Sequence, residues 1–179
     1  NAAGIVAVGF TGRGPMELRE LGRLRLGFGA YSQWLNSEHR LEPKRDIWRR
    51  EGFLAVDWGR LRADHRVDVL IALPHWDYEF AHYPRPETVK DADELEANGF
   101  DLVGGAHQQV VQPLRVRGAK LCWFGAGNLT GPDLERLGWP VRLGALLEVG
   151  LNERGQLVGW KTYPFVQTKE DKQWSACLL

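Results

Sequence analysis

The sequence predicts an α/β domain in which a parallel crossover unit precedes antiparallel strands. The crossover is indicated by an apolar run at residues 67–73, an amphipathic helical pattern from Pro86, and a second apolar segment at residues 102–103. The antiparallel part is indicated by alternating segments at residues 141–151 and 156–166, which flank a short turn. A chain of 179 residues with 44% hydrophobic residues is long enough to bury a sizeable core.

The elements before the crossover are predicted from short local patterns. Residues 5–8 form a β-branched run ahead of several glycines, which is typical of a buried strand. Residues 24–30 alternate apolar side chains with arginine and glycine, and this pattern predicts a strand with one buried face. Residues 32–51 are charged and aperiodic and predict a long surface loop that shapes a substrate entrance. Asp57 is expected to cap a helix that ends near His65.

The crossover helix and the hairpin after it are predicted from their end signals. Proline is favoured in the first turn of a helix, so the helix is expected to begin at Pro86 and to end before Asn98. Its apolar positions face the core, and its acidic residues, including Asp91, are expected to face solvent. Residues 114–116 and 120–124 flank a glycine turn and predict an antiparallel hairpin.

Composition excludes some classes of function. Lys+Arg and Asp+Glu both number 23, so net charge offers no argument for binding nucleic acid or an anionic membrane. No apolar run approaches the roughly 20 residues that span a bilayer, so membrane association is expected only through segments outside this chain. Cys122 and Cys177 are expected to be free thiols, with a single disulfide as the alternative. Bacterial cytoplasm and cell surface both stay open as locations.

The clearest chemical segment follows the predicted strand at residues 67–73. It places His75 with Asp77 and Glu79 at a rigid strand end. A neutral imidazole suits Zn, Mn or Fe, and nearby carboxylates could orient it or take a proton. A single histidine at a strand end is more often a structural residue, so this segment alone leaves both interpretations open.

A second histidine, His107, leaves the next predicted strand after two glycines that permit close backbone approach. Loops that follow adjacent parallel strands converge on one crevice, so His75 and His107 are expected to share a site. Asn128 lies in a later glycine-rich turn, where it either contacts a ligand or caps the turn.

At these residues the chain resembles the C-terminal half of the CapA-type (poly-γ-glutamate capsule biosynthesis) family. That family carries His-Trp-Gly-x-Glu-Tyr, then Gly-x-Asp-Leu-Val-Ile-Gly-x-His-Pro-His-Val-x-Gln-Pro, then Ser-Leu-Gly-Asn-Phe. The matching segments, which agree in order and spacing, are His75-Trp76-Asp77-Tyr78-Glu79-Phe80, the block at residues 99–113 ending Val110-Val111-Gln112-Pro113, and Gly125-Ala126-Gly127-Asn128-Leu129.

The resemblance implies a four-layer αββα sandwich of metallophosphatase type. It implies that residues 1–166 form the C-terminal half of this domain and that residues 167–179 are a polar tail. His75 and His107 are its implied ligands for a divalent Mn, Fe or Zn ion, and Glu79 matches the family's acidic residue. The family's first metal motifs lie upstream of this region. They are expected from the missing half, in the same or a companion chain, or the domain has lost metal chemistry.

Departures from the motif shape the remaining expectations. Gln109 stands where the family has a second histidine, so Gln109 becomes a candidate metal ligand and a Ca²⁺ or Mg²⁺ site becomes more credible. Asp77 replaces a glycine. The expected catalytic residues are His75, Asp77 and Glu79, and the expected substrate-binding residues are Trp76 and Asn128.

Several functions are compatible with this pattern. The leading expectation is a metal-dependent enzyme, hydrolase-like or peptide-modifying, that acts on a peptide, poly-γ-glutamate or phosphoester substrate. A peptide epimerase of the same fold is one alternative. Another is a non-catalytic subunit that binds a peptide or polyanionic polymer through loops around Trp34, Trp48 and Trp76.

Overall fold

The computed structural model describes residues 6–34, 47–129, 138–170 and 173–179 and contains a mixed six-stranded sheet. Its strands are β1 (Glu17–Leu21), β2 (Leu24–Ser32), β3 (Val69–His75), β4 (Leu102–Gly104), β5 (Leu114–Arg117) and β6 (Lys120–Trp123). The order is β1-β2-β3-β4-β6-β5, in which β2, β3, β4 and β6 run parallel and the edge strands β1 and β5 run antiparallel. The α/β class and the β5–β6 hairpin are thereby confirmed.

The helices are α1 (Arg50–Leu54), α2 (Trp58–His65) and α3 (Pro86–Ala97). Asp57 accepts a hydrogen bond of 2.9 Å from the Arg60 amide, so the predicted cap of α2 is confirmed. Helix α3 begins at Pro86, and Gly99 beyond its end has a φ of 95°, a left-handed conformation that glycine adopts without strain. Because α3 joins the parallel strands β3 and β4, the predicted crossover is confirmed.

The helices cover one face of the six-stranded sheet, where the main core lies. Phe53 of α1 and Trp58 of α2 are buried there against Phe100, with ring centroids 4.6 to 5.7 Å apart. Gly29 of β2 lies beneath these rings, since a Cβ at this position would come within 2.7 Å of Trp58. Strand β2 is therefore packed on both faces, whereas its alternation had predicted one buried face.

The opposite face of the sheet meets a three-stranded antiparallel meander. Its strands are β7 (Leu143–Leu151), β8 (Leu157–Glu170) and β9 (Gln173–Leu178). Leu151 at the end of β7 packs against a cluster formed by Leu24, Leu26 and Val69. The stretch at residues 167–179, expected to be a polar tail, contains the end of β8 and all of β9, which pair with each other.

Two further expectations require correction. Residues 6–9 form no strand, and Val6 is 37% exposed, so the strand predicted at residues 5–8 is not present in its described part. Asp91 was expected to face solvent, yet it is buried on α3, where Arg50 and Gln33 bind its carboxylate. Buried acids need such partners, and they are supplied here by distant segments.

Of the loop predicted at residues 32–51, residues 35–46, with His39, lie outside the described residues. The flanking parts are ordered elements, since Ser32 ends β2 and Arg50 begins α1. Cys122 and Cys177 are free, as predicted. No helix within the described ranges is long and apolar enough to cross a membrane.

Candidate functional site

The site is built where β3 and β4 end. His75 is the last residue of β3, and His107 follows β4 after a parallel bridge between His75 and Ala106. Two backbone hydrogen bonds, from the Trp76 amide to Ala106 and from the Ala106 amide to Pro74, hold the loops together. The imidazole centroids of His75 and His107 lie 4.3 Å apart at an interplanar angle of 51°. The expected convergence of the two rings is therefore found.

The surroundings of His75 favour the neutral form of its ring. Burial lowers the pKa of His75, and the neighbouring His107 lowers it further, while the carboxylate of Glu79 acts in the opposite direction. Nδ1 of His75 lies 3.0 Å from the hydroxyl oxygen of Ser32. A neutral imidazole with one nitrogen engaged in this way has the form that metal-ligating histidines take.

Both histidine loops contain backbone conformations that side chains rarely adopt. Positive φ angles occur at Asp77 (64°), Phe80 (65°), His107 (109°) and Gln109 (60°), and within the described ranges only Arg66 is a further non-glycine example. Such conformations persist only where the surroundings enforce them, and they cluster at functional sites.

Hydrogen bonds between the two loops enforce this geometry. The Phe80 amide donates to the Gln108 carbonyl at 2.8 Å, and the buried Gln108 side chain donates to the Trp76 carbonyl at 3.2 Å. Glu79 and Gln109 meet at the surface of the same pair of loops, where the Gln109 amide donates to the Glu79 carboxylate at 2.7 Å. Because the side-chain nitrogen of Gln109 is engaged in this bond, the side-chain oxygen is left as a possible ligand atom.

Trp76 does not have the exposure expected of a substrate-binding residue. Its side chain is fully buried, and the indole nitrogen donates to the Phe124 carbonyl at 3.0 Å. Gly105 permits this contact, because a Cβ there would lie 2.3 Å from the indole nitrogen and 2.0 Å from the Phe124 oxygen. Trp76 is therefore a buried wall of the site, and its contact with substrate stays a prediction.

Asp77 is likewise structural. Its carboxylate is fully buried and accepts hydrogen bonds from the Arg85 guanidinium at 2.6 Å and from the Tyr78 amide at 2.8 Å. Burial pushes the pKa of Asp77 upward, but these hydrogen bonds, together with that from the Arg85 amide, outweigh burial and lower it. A buried carboxylate held by several donors has a structural role, and the catalytic role expected of Asp77 stays a prediction.

Asn128 connects the site region to the meander. The side-chain amide of Asn128 donates to the Val141 carbonyl at 3.2 Å, and the backbone carbonyl of Asn128 accepts from the Gln167 side chain at 2.7 Å. Gly127 beside it forms an antiparallel bridge with Gly144 of β7. Asn128 thus has a structural role, and its contact with a substrate stays a prediction.

Sequence reasoning missed the polar end of β2. Ser32 contacts His75, and the Gln33 side chain accepts from the Asp77 amide at 3.0 Å while donating to Asp91 at 2.7 Å. These residues were assigned to a surface loop. The available signal was a Ser-Gln pair placed directly after an alternating apolar run, at the same sheet edge as His75.

A pair of packed aromatic side chains lies next to the histidines. Trp34 and Tyr78 pack with ring centroids 5.6 Å apart, and the Arg85 guanidinium lies 3.8 Å above the Tyr78 ring. Trp34 also lines a cavity of ≈ 390 Å³ that has His75 and Ser32 in its wall and is otherwise mainly apolar. A cavity of this size can admit a small organic group.

The donor atoms present fit part of a divalent metal site. Two imidazoles suit Mn, Fe or Zn, and the oxygens of Glu79 and Gln109 lie on the same loops. Within the part of the chain that the structure describes, no group of three or more His, Cys, Asp or Glu side chains gathers around one point. A complete coordination shell would therefore require further ligands.

Comparisons with known proteins agree with this arrangement at the level of family and fold. A family model described as bacterial capsule synthesis protein PGA_cap matches residues 5–132. A hypothetical protein from Thermus thermophilus with a known crystal structure shares 15% sequence identity with this chain. The two structures align with a TM-score of 0.55 over 85% of this chain and 62% of that chain. At this identity the likeness shows a shared fold alone.

A second solved structure, GAP50, the anchor in the inner membrane complex of Plasmodium, is 8% identical, with a TM-score of 0.37 over 92% of this chain and 53% of that chain. A TM-score this low supports no inference about the fold or function of this chain. The chain spans 62% and 53% of the lengths of these two structures. No curated protein matches the chain.

Proposed function

The chain belongs to the bacterial capsule synthesis protein family PGA_cap, and from this premise we propose that it supplies one side of the metal site of a divalent-metal-dependent enzyme. Membership of the family indicates a function related to capsule synthesis. The proposed substrate is a peptide, poly-γ-glutamate or a phosphoester, and the proposed domain is a four-layer sandwich of metallophosphatase type. The remaining ligands are proposed to come from an upstream half in the same or a companion chain.

One observation carries this proposal, namely the 4.3 Å separation of the His75 and His107 rings at the ends of neighbouring parallel strands. Ligand nitrogens bind such ions at about 2.0–2.2 Å, so a separation this short allows both rings to reach one ion. The lowered pKa of His75 favours the neutral form that a cation requires. A histidine that merely caps a strand has no need to lie against a second imidazole.

In the proposed site, His75 and His107 would hold the ion, and the side-chain oxygen of Gln109 could join them. The bound ion would polarise a carbonyl or phosphoryl oxygen of the substrate. Glu79 is exposed on the same loop as His75 and accepts a hydrogen bond from Gln109, which supports its proposed role in exchanging a proton with a substrate atom. The left-handed backbone at His107 and Gln109 sets the directions in which both side chains leave the loop.

A second candidate function is a non-catalytic subunit that binds a polymer or peptide, and the exposed pair of Trp34 and Tyr78 favours it. The other tryptophans proposed for this role do not support it. Trp76 is fully buried, and Trp48 packs against the core with its indole nitrogen bonded to the Gly14 carbonyl. Aromatic recognition here would rest on one tryptophan.

Calorimetric titration with Mn²⁺ and with Zn²⁺ tests the metal proposal. His75→Ala and His107→Ala are each expected to lower the affinity by at least about tenfold, since each removes a ligand. His82→Ala is the matched control because His82 is exposed and outside the site. Equal affinities in all four proteins would contradict the proposal, and retention of no ion by the wild type in the presence of the upstream half would favour the binding subunit.

A further inference from the structure

Ser32 and His75 are the last residues of two paired strands. Parallel strands β2 and β3 place Ser32 directly opposite His75. Backbone hydrogen bonds on either side, from the Ser32 amide to Trp48 at 3.0 Å and from the Gln33 amide to His75 at 2.9 Å, fix this strand end. Ser32 is 9% exposed, so its hydroxyl must find its partners within the protein.

The hydroxyl of Ser32 has two partners with different capacities. Its oxygen lies 2.5 Å from the Trp34 carbonyl oxygen and 3.0 Å from Nδ1 of His75. A carbonyl oxygen only accepts, and a serine hydroxyl carries a single proton. The Ser32 proton must therefore be donated to Trp34, because two oxygens at this distance without a proton between them would repel each other.

This assignment determines the protonation of the His75 ring. With its proton committed to Trp34, the Ser32 oxygen can only accept from His75, so Nδ1 carries the ring proton. In a neutral imidazole one nitrogen is protonated and the other holds a lone pair. The lone pair must therefore reside on Nε2.

We propose that Ser32 is a positioning residue that holds His75 in the Nδ1–H tautomer and thereby reserves Nε2 for a divalent cation. The cation part rests on the proposed function, whereas the tautomer part rests on the hydrogen bonds alone. Metal-ligating histidines characteristically donate their second ring N–H to a fixed oxygen, which sets both tautomer and ring orientation. Here a strand-paired serine supplies that oxygen, and the Trp34 carbonyl orients the serine.

The tautomer is measured first, by ¹⁵N nuclear magnetic resonance of the histidine rings in the metal-free protein. At about pH 8, above the ordinary histidine pKa of about 6.5, the His75 ring is neutral. The His75→Ala variant assigns the signal. We expect a protonated Nδ1 and an unprotonated Nε2 in wild type and in Ser32→Thr, which keeps the hydroxyl, and a mixture of tautomers in Ser32→Ala. A protonated Nε2 in wild type would overturn the proposal.

Affinity is measured next, by titrating the same proteins with Mn²⁺ and Zn²⁺. Loss of an outer hydrogen bond to a ligand typically costs about 10- to 100-fold in metal affinity, so Ser32→Ala is expected to weaken binding by that factor. Ser32→Thr should restore most of it. Ser175→Ala is the control, since Ser175 lies in β9 and bonds to Thr168.

The outcomes separate this proposal from the proposed function. If wild type binds neither ion, the proposed metal site fails, while the tautomers of wild type and Ser32→Ala still decide the role of Ser32. If Ser32→Ala keeps both the Nδ1–H tautomer and the wild-type affinity, Ser32 is not a positioning residue. Should Ser32→Ala fail to fold, the tautomer in wild type and in Ser32→Thr decides.

Discussion

At the scale of single residues, the site depends on side chains that its backbone holds in uncommon conformations. His107 has a φ of 109° and Gln109 a φ of 60°. A residue with a Cβ is strained at such angles by roughly 1–3 kcal/mol, and the surrounding hydrogen bonds must offset that cost. Glycine would relieve the strain but would remove the imidazole or the amide. The presence of side chains here is therefore more consistent with a role in the site than with a simple turn.

Replacement of His107 should separate strain from chemistry. His107→Ala and His107→Gly both remove the ring and should both lose metal affinity. The glycine variant should nevertheless be more stable than the alanine variant by about 1 kcal/mol, because only glycine adopts this φ freely. Urea unfolding measures the difference. At His82, where φ is not positive, the alanine variant should be at least as stable as the glycine variant. If the alanine variant were also the more stable one at His107, the strain argument would be refuted.

Gln109 is the residue that most alters the expected ligand set. Its amide holds Glu79, and histidine tolerates the left-handed region better than most residues. Gln109→His should therefore fold and should tighten Zn²⁺ or Mn²⁺ relative to Ca²⁺, since an imidazole nitrogen replaces an amide oxygen. Competitive titration of Zn²⁺ against Ca²⁺ in wild type and variant measures this selectivity. An unchanged ratio would show that residue 109 does not reach the ion.

At the scale of elements, strand β2 joins the core to the site. Gly29 lets Trp58 and Phe53 close over the middle of the strand, and Ser32 at its end contacts His75. The buried rings on α1 and α2 therefore pack directly on strand β2, which carries Ser32 at its end. Packing in the core is thereby linked to the placement of His75.

A single methyl group should test this packing. Gly29→Ala would place a Cβ 2.7 Å from Trp58 and 2.8 Å from Phe53, both fully or almost fully buried, and should cost about 1–3 kcal/mol of unfolding free energy. Gly159→Ala in β8 is the matched control, because a Cβ there meets nothing within 4 Å. Chemical denaturation of both variants compares them, and equal stability would show that the rings move aside freely.

At the scale of the whole molecule, the half-buried His75 and the buried Asp77 connect global stability to pH in separate windows. The pKa of His75 is lowered by burial and by His107, so the folded state binds this proton less readily than the unfolded state. The contribution of His75 to the free energy of unfolding is fully present above its unfolded pKa of about 6.5. It is lost as pH falls through its folded pKa. The lowered pKa of Asp77 acts in the same direction, but only below the unfolded value of about 3.9.

Urea unfolding between about pH 7.5 and pH 5 should therefore show falling stability that depends on His75. His75→Gln should flatten this part of the profile, and His82→Gln, at an exposed position, should leave it unchanged. Asp77→Asn should alter only the more acidic part. A profile that keeps its slope near pH 6 in His75→Gln would show that another group is responsible.

The sequence by itself determined the features that are written locally. Capping by Asp57, the start of α3 at Pro86, the β5–β6 hairpin and the order of strand, helix and strand all follow from short-range sterics and hydrogen bonding. The convergence of the two histidines also followed, because parallel connectivity alone brings successive strand ends to one edge.

Only the tertiary structure decided which polar groups face the site. Asp77 and Asp91 are both acidic, yet each is buried against an arginine that helix signals do not reveal, Arg85 only 8 residues from Asp77 and Arg50 41 residues from Asp91. Trp76 became a wall because Gly105 leaves room for its indole, and Ser32 reached His75 because two strands 43 residues apart in sequence pair in register. Pairing of segments so far apart depends on how the whole sheet packs, so the partners of a polar side chain are fixed only when the core forms.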